Sequence, residues 1–228
     1  MIIDAVTENA LRHEQVQTFG RLMAGFSHDM KNHLGIIRES NGLVSDFIEF
    51  SEMGGDVKTI ERMQKAIASI ERRIVIAADA LHHLSGVAHR PDAEYTTFSV
   101  NELLLEESTF ISRFARLKQV SFEVHPGEDI AAIYNNPSLL QHIIYRVFDL
   151  CLDQLASGSS LVIHTCMEGR SAKVAYELSQ AITVDVSPVL QAAIAKMGGM
   201  LSVQQPAADA CTDLHLIVPS LPGEFLEA

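Results

Sequence analysis

No proline occurs before Pro91, and across those first ninety residues apolar side chains return in alternating steps of three and four. That rhythm is the seam of long helices packing as a bundle, and it excludes a strand-rich start. One run contains Val16, Phe19, Met23, Phe26, Met30, Leu34, Ile37, Val44 and Ile48; a second contains Ile60, Met63, Ile67, Ile70, Ile74, Ala77, Leu81 and Leu84. Met53-Gly54-Gly55-Asp56 between them predicts a break, with Asp56 capping the second helix. Two helices cannot bury both seams alone, so a two-fold four-helix bundle made by a homodimer is expected. The alternative is that the seams pack against the rest of the chain.

After His89-Arg90-Pro91-Asp92 the pattern changes, dividing the sequence into a helical hairpin domain (1–90) and a second domain (91–228). Thr96–Phe98 predicts a short strand, and Ser99 with Glu102 a capping box opening a helix to about Leu117. Strands are expected at Val120–Val124, Ile130–Tyr134, Leu161–Met167, Ala172–Leu178, Met200–Gln204 and Leu214–Val218. Pro137 and Ser187-Pro188 each open a further helix, the latter ending at Gly198-Gly199. Helices and strands in this mixture predict an α/β sandwich with helices on one face of a sheet.

The net charge of −12 argues against nucleic acid as a partner. The three cysteines, Cys151, Cys166 and Cys211, show no paired ligand spacing and read as small buried residues in a reducing compartment. Neither a signal peptide nor a membrane span is evident, so a cytoplasmic protein whose input comes from another protein is expected. His82-His83 and His89 lack a completing ligand set and read as surface residues, as do the acids Glu106-Glu107.

Phe26-Ser27-His28-Asp29-Met30-Lys31-Asn32-His33-Leu34 carries the chemistry. On a helix, His28 points roughly 140° away from the Met23–Met30–Leu34 seam. Asn32 follows one turn later on the same face, and Asp29 flanks the imidazole. A carboxylate beside an exposed imidazole can hold one ring nitrogen protonated and leave the other as a nucleophile. Taken alone, this spacing is also compatible with an ordinary surface histidine.

His28-Asp29-Met30-Lys31-Asn32-His33-Leu34 resembles the phosphoacceptor box of sensor histidine kinases: His, an acid, two variable residues, Asn or Thr, Pro, Leu. The resemblance implies His28 as the phosphorylated residue, Asp29 as its base, and Asn32 as the residue that positions water. His33 stands where the family has a helix-kinking proline.

The second domain resembles the family's ATP-binding domain through Asn136–Ile144, Ile194–Val203 and Asp213–Pro219. Its functional positions depart from that pattern. Leu150 falls where the family has its Mg-binding Asn, and Arg146 where it has the earlier Asn. Ser179–Val186 contains no glycine where the family has an Asp-x-Gly-x-Gly loop; Ser187-Pro188 follows at once where its lid should begin. Ala210-Cys211-Thr212 replaces Gly-x-Gly-Thr. Phosphates need close backbone approach and Mg needs oxygen ligands, so ATP-dependent kinase activity is not expected.

The fold class implied is α plus α/β: a hairpin forming a dimeric four-helix bundle, then a degenerate histidine-kinase ATPase-like sandwich. The function implied is a histidine phosphotransferase in a two-component phosphorelay, shuttling phosphate between receiver aspartates through His28. It would hold no cofactor of its own, the response-regulator receiver domain supplying Mg2+, and an upstream hybrid kinase is a candidate donor. Two other readings stay open: a phosphatase of a phosphorylated receiver using Asp29 and Asn32, and a non-catalytic pseudokinase binding module. Leu34 and Phe114 are candidate docking contacts.

Overall fold

The computed structural model describes residues 4–50, 57–204 and 211–222. Helix α1 runs Ala5–Phe50 and α2 Val57–His89, roughly 70 and 50 Å long at 1.5 Å per residue. Asp4 starts α1: its Oδ1 accepts hydrogen bonds from the Val6 and Thr7 amides, each at 3.0 Å. The helix passes unbroken through His33, which keeps the backbone donor that proline would lack. The expected turn at Met53–Asp56 and Ala210 of the altered Gly-x-Gly-Thr segment lie outside the described residues.

The chain forms two compact units, Leu22–Ser85 and Met1–Arg21 with Gly86–Ala228. The first turns of α1, expected in the helical domain, therefore belong to the same unit as the sandwich. In the helical unit the seams split in two. Met23, Phe26, Met30, Ile37, Val44, Met63, Ile70, Ala77 and Leu84 are half-buried, and Ser40 and Ala66 are buried. The intervening seam residues stay exposed: Leu34, Ile48, and Ile60, Ile67, Ile74 and Leu81 at strict heptad spacing.

The other unit is built on a five-stranded sheet in the order β2-β4-β5-β7-β6. The strands are β2 (Ser121–His125), β4 (Ser160–Glu168), β5 (Ser171–Leu178), β6 (Met200–Gln204) and β7 (Thr212–Pro219). β2 pairs parallel with β4, and the remaining pairs are antiparallel. A separate antiparallel pair joins β1 (Thr96–Phe98) to β3 (Ile133–Asn135). β3 begins later than the expected Ile130, because Pro126, Gly127 and Asp129, at φ 56°, hold the preceding segment in a turn.

Helices α3 (Val100–Leu117), α4 (Pro137–Gln154) and α5 (Pro188–Lys196) complete the unit. Each is capped as its sequence dictates. Ser99, Asn136 and Ser187 accept hydrogen bonds from the amides of Glu102, Leu139 and Leu190. Leu140, Ile143, Ile144 and Phe148 of α4 are fully buried with Leu161, Ile163, Val174 and Tyr176 of the sheet. Phe122 packs edge-on against Phe148 at 5.2 Å between ring centroids. Gly198 ends α5 at φ 69°, and Gly199 lies where a Cβ would stand 2.8 Å from the Ile217 carbonyl oxygen. Cys166 is exposed, not buried as its apolar neighbours suggested, because strand alternation places it on the opposite face from Thr165 and Ile163.

Candidate functional site

His28, Asp29 and Asn32 come together on α1. The His28 side chain is 56% exposed, its Nδ1 3.5 Å from Asp29 Oδ1 and 3.1 Å from Asn32 Nδ2. Helical spacing alone creates the Asn32 contact, since residues four apart stack on one face. Both contacts converge on one ring nitrogen, and the tautomer selects between them. With Nδ1 bare, it accepts from the Asn32 amide and the ring proton sits on Nε2. With Nδ1 protonated, it donates towards Asp29 and Nε2 carries the lone pair. The pair of neighbours thus offers the imidazole two settings, of which the second makes Nε2 a nucleophile.

In the sandwich unit, Arg146, Asp149, Leu150, Asp153, Gln154, Asp185, Ser187 and Leu190 line an open cleft of about 240 Å³. Leu150 and Arg146 stand there at the two positions singled out for the family's asparagines. The Leu150 side chain has no oxygen to offer a cation, and Asp149, Asp153 and Asp185 set carboxylates against any polyphosphate. The glycine-free loop between β5 and α5 is fastened at both chain directions. Gln154 donates to the Thr183 carbonyl oxygen at 2.6 Å and accepts from the Thr183 amide at 3.1 Å. The Ile182 amide donates to Thr212 Oγ1 at 3.0 Å.

Several groups lie where the sequence did not place them. Glu107, expected on a solvated face, is fully buried, and neither carboxylate oxygen has a hydrogen-bond partner. Burial pushes its carboxyl up to about 8 despite the Arg90 guanidinium nearby. Glu106 is partly exposed and pairs with Arg90, which also donates to Gln141 at 2.6 Å. His142 is buried with neither ring nitrogen hydrogen-bonded, and desolvation followed by the Arg146 charge lowers it to about 4. Phe114 is no open docking residue: the Arg21 guanidinium lies 5.8 Å from its ring centroid, and Tyr145 packs edge-on against it. Among the described residues, no group of three or more His, Cys, Asp or Glu side chains could hold a metal ion. No helix among them is long and apolar enough to cross a membrane.

Comparison with solved structures places the sandwich among histidine kinase catalytic domains in fold. The catalytic domain of the histidine kinase ThkA matches with a TM-score of 0.50 and 13% identity, over 57% of this chain and 99% of that one. Acinetobacter baumannii histidine kinase AdeS matches at TM-score 0.48 and 11% identity, over 86% and 98%. ThkA in complex with the response regulator protein TrrA matches at TM-score 0.46 and 12% identity, over 98% and 69%. No protein-family model matches the sequence, and no curated protein matches it significantly. The fold of the sandwich is that of a histidine kinase catalytic domain.

Proposed function

We propose that this chain is a histidine phosphotransferase of a two-component phosphorelay, taking phosphate from one receiver aspartate and passing it to another through His28. The convergence of Asp29 and Asn32 on Nδ1 of an exposed imidazole carries the reading. With the Nδ1 proton directed to Asp29, the Nε2 lone pair attacks the phosphorus of an aspartyl phosphate. The P–N bond forms as the P–O bond breaks, and the receiver's carboxylate leaves with the electron pair. The reverse step loads the second receiver. Mg2+ is supplied by the receiver, consistent with a cleft ill suited to a nucleotide. An upstream hybrid kinase supplies the first phosphate, and the reaction runs in the cytoplasm.

The working form is a homodimer. The exposed half of each seam, above all Ile60, Ile67, Ile74 and Leu81, offers the apolar stripe that a second hairpin needs to close a four-helix bundle. The boundary between the hairpin and the sandwich falls near residue 90 as a unit of function, whatever the first turns of α1 pack upon.

The test is transfer of radiolabelled phosphate from purified phosphorylated receivers, with wild type compared with His28→Ala and with ATP alone as a parallel arm. Acid-labile label gained from a receiver and absent in the variant supports the relay. Label taken from ATP overturns it. Free phosphate released without labelled protein moves the reaction to receiver dephosphorylation, which Asn32, one turn beyond His28, is placed to assist. No response to any receiver leaves a non-catalytic binding module.

A further inference from the structure

The first turns of α1 meet the sandwich through an unusual face. Glu8, Leu11, Glu14, Thr18 and Arg21 recur in steps of three and four, so they form one stripe, and it is charged. Both Glu8 carboxylate oxygens accept from Lys196 Nζ at 3.1 Å. Glu14 Oε2 lies 3.4 Å from Arg146 Nε and 3.9 Å from His142 Nε2. Arg21 donates to Asp149 Oδ2 at 3.2 Å, and its guanidinium stands 5.8 Å from the Phe114 and Tyr145 ring centroids. His142, Arg146 and Asp149 form the matching stripe on α4, four and three residues apart. Only Leu11 and Thr18 of the α1 stripe are buried.

This is a weakly fastened contact. Ion pairs between partly exposed groups contribute little individually and are screened by salt. Apart from the buried Leu11 and Thr18, the seventeen-residue segment meets the sandwich through such pairs, while the strands beneath are paired with one another and their apolar residues lie buried with those of α4. We infer that residues 5–21 form a charge-held strap that closes the α4 face and peels from it as α1 frays back from its N-terminus, uncovering His142, Arg146 and Asp149. The strap is a conformational device separate from phosphotransfer: it operates whether or not His28 carries phosphate. Its charge order (acid, acid, base along α1, against Lys196, Arg146 and Asp149) sets both its register and its sensitivity to ionic strength.

Thiol trapping on the full chain tests this. Thr18→Cys, placed in a Cys166→Ser/Cys211→Ser background, is reacted with a maleimide, the labelled site being read by mass spectrometry. Labelling of Cys at that position should be slow and should speed up as salt rises from about 50 to about 500 mM. Glu8→Lys should accelerate it about fivefold, and adding Lys196→Glu should restore the rate to within about twofold. Arg21→Gln should accelerate it independently of the Glu8–Lys196 pair. A rate indifferent to salt and to Glu8→Lys, or a reversed pair that fails to restore it, overturns the strap. Thermal unfolding of each variant separates opening from misfolding: an opened strap labels fast while the cooperative transition of the sandwich remains.

Discussion

A carboxyl group buried without partners makes the sharpest residue-scale prediction. Burial pushes the Glu107 carboxyl up to about 8 in the folded chain, from an ordinary value of 4.5. The folded state therefore binds more protons than the unfolded one between those values, and stability falls as pH rises through that window. His142, lowered to about 4 from 6.5, does the opposite: its contribution is lost as pH falls below 6.5. The two oppose each other at mildly acidic pH, and above 6.5 the slope belongs to Glu107. Glu107→Gln should flatten that slope, as urea unfolding at several pH values would show. At His28, Asn32→Ala should release Nδ1 and raise the share of the Nδ1–H tautomer, visible in the imidazole 15N shifts. Asp29→Asn should slow phosphate uptake from a receiver by roughly a hundredfold. The His28–Asp29–Asn32 cluster was legible in the sequence because it is purely local, a product of helical spacing. Glu107 was not, because nothing beside it in the chain distinguishes it from the half-exposed Glu106; the fold of α3 on α4 does.

Among the elements, the helix starts were the easiest to read. Ser99, Asn136 and Ser187 are short polar residues whose side chains reach the third amide of the helix that follows, and proline at the first position of two of these helices adds a fixed φ. Asn136→Ala should cost about 1 kcal/mol, measured as a shift in the urea midpoint. Gly199→Ala should cost more, since its methyl group would meet the Ile217 carbonyl oxygen at 2.8 Å and β6 would have to move away from β7. The docking face of α1 escaped the same reading for a physical reason. A search for apolar repeats finds Val16 and Phe19, which lie exposed. The stripe that packs on the sandwich is Glu8, Leu11, Glu14, Thr18 and Arg21, whose pairing depends on charges contributed by α4 and α5, more than a hundred residues away.

For the whole molecule, the hairpin seams predict two long helices, and half of each seam stays exposed. On the proposed homodimer, Ile67→Glu with Ile74→Glu should give monomers in light scattering, with the sandwich still unfolding cooperatively. The departures from the family's pattern were legible residue by residue at Leu150 and along the glycine-free loop. How the loop is held was not, since the Gln154–Thr183 and Ile182–Thr212 bonds join segments far apart in sequence. That fastening has a consequence for how the protein would be driven. On the relay reading, a domain with its loop tied to α4 and β7 has no lid to open, no spent nucleotide to expel and no dependence on the ratio of ATP to ADP. Flux through His28 would follow only the abundance and phosphorylation of its receivers, leaving the cell's energy status to act elsewhere in the pathway.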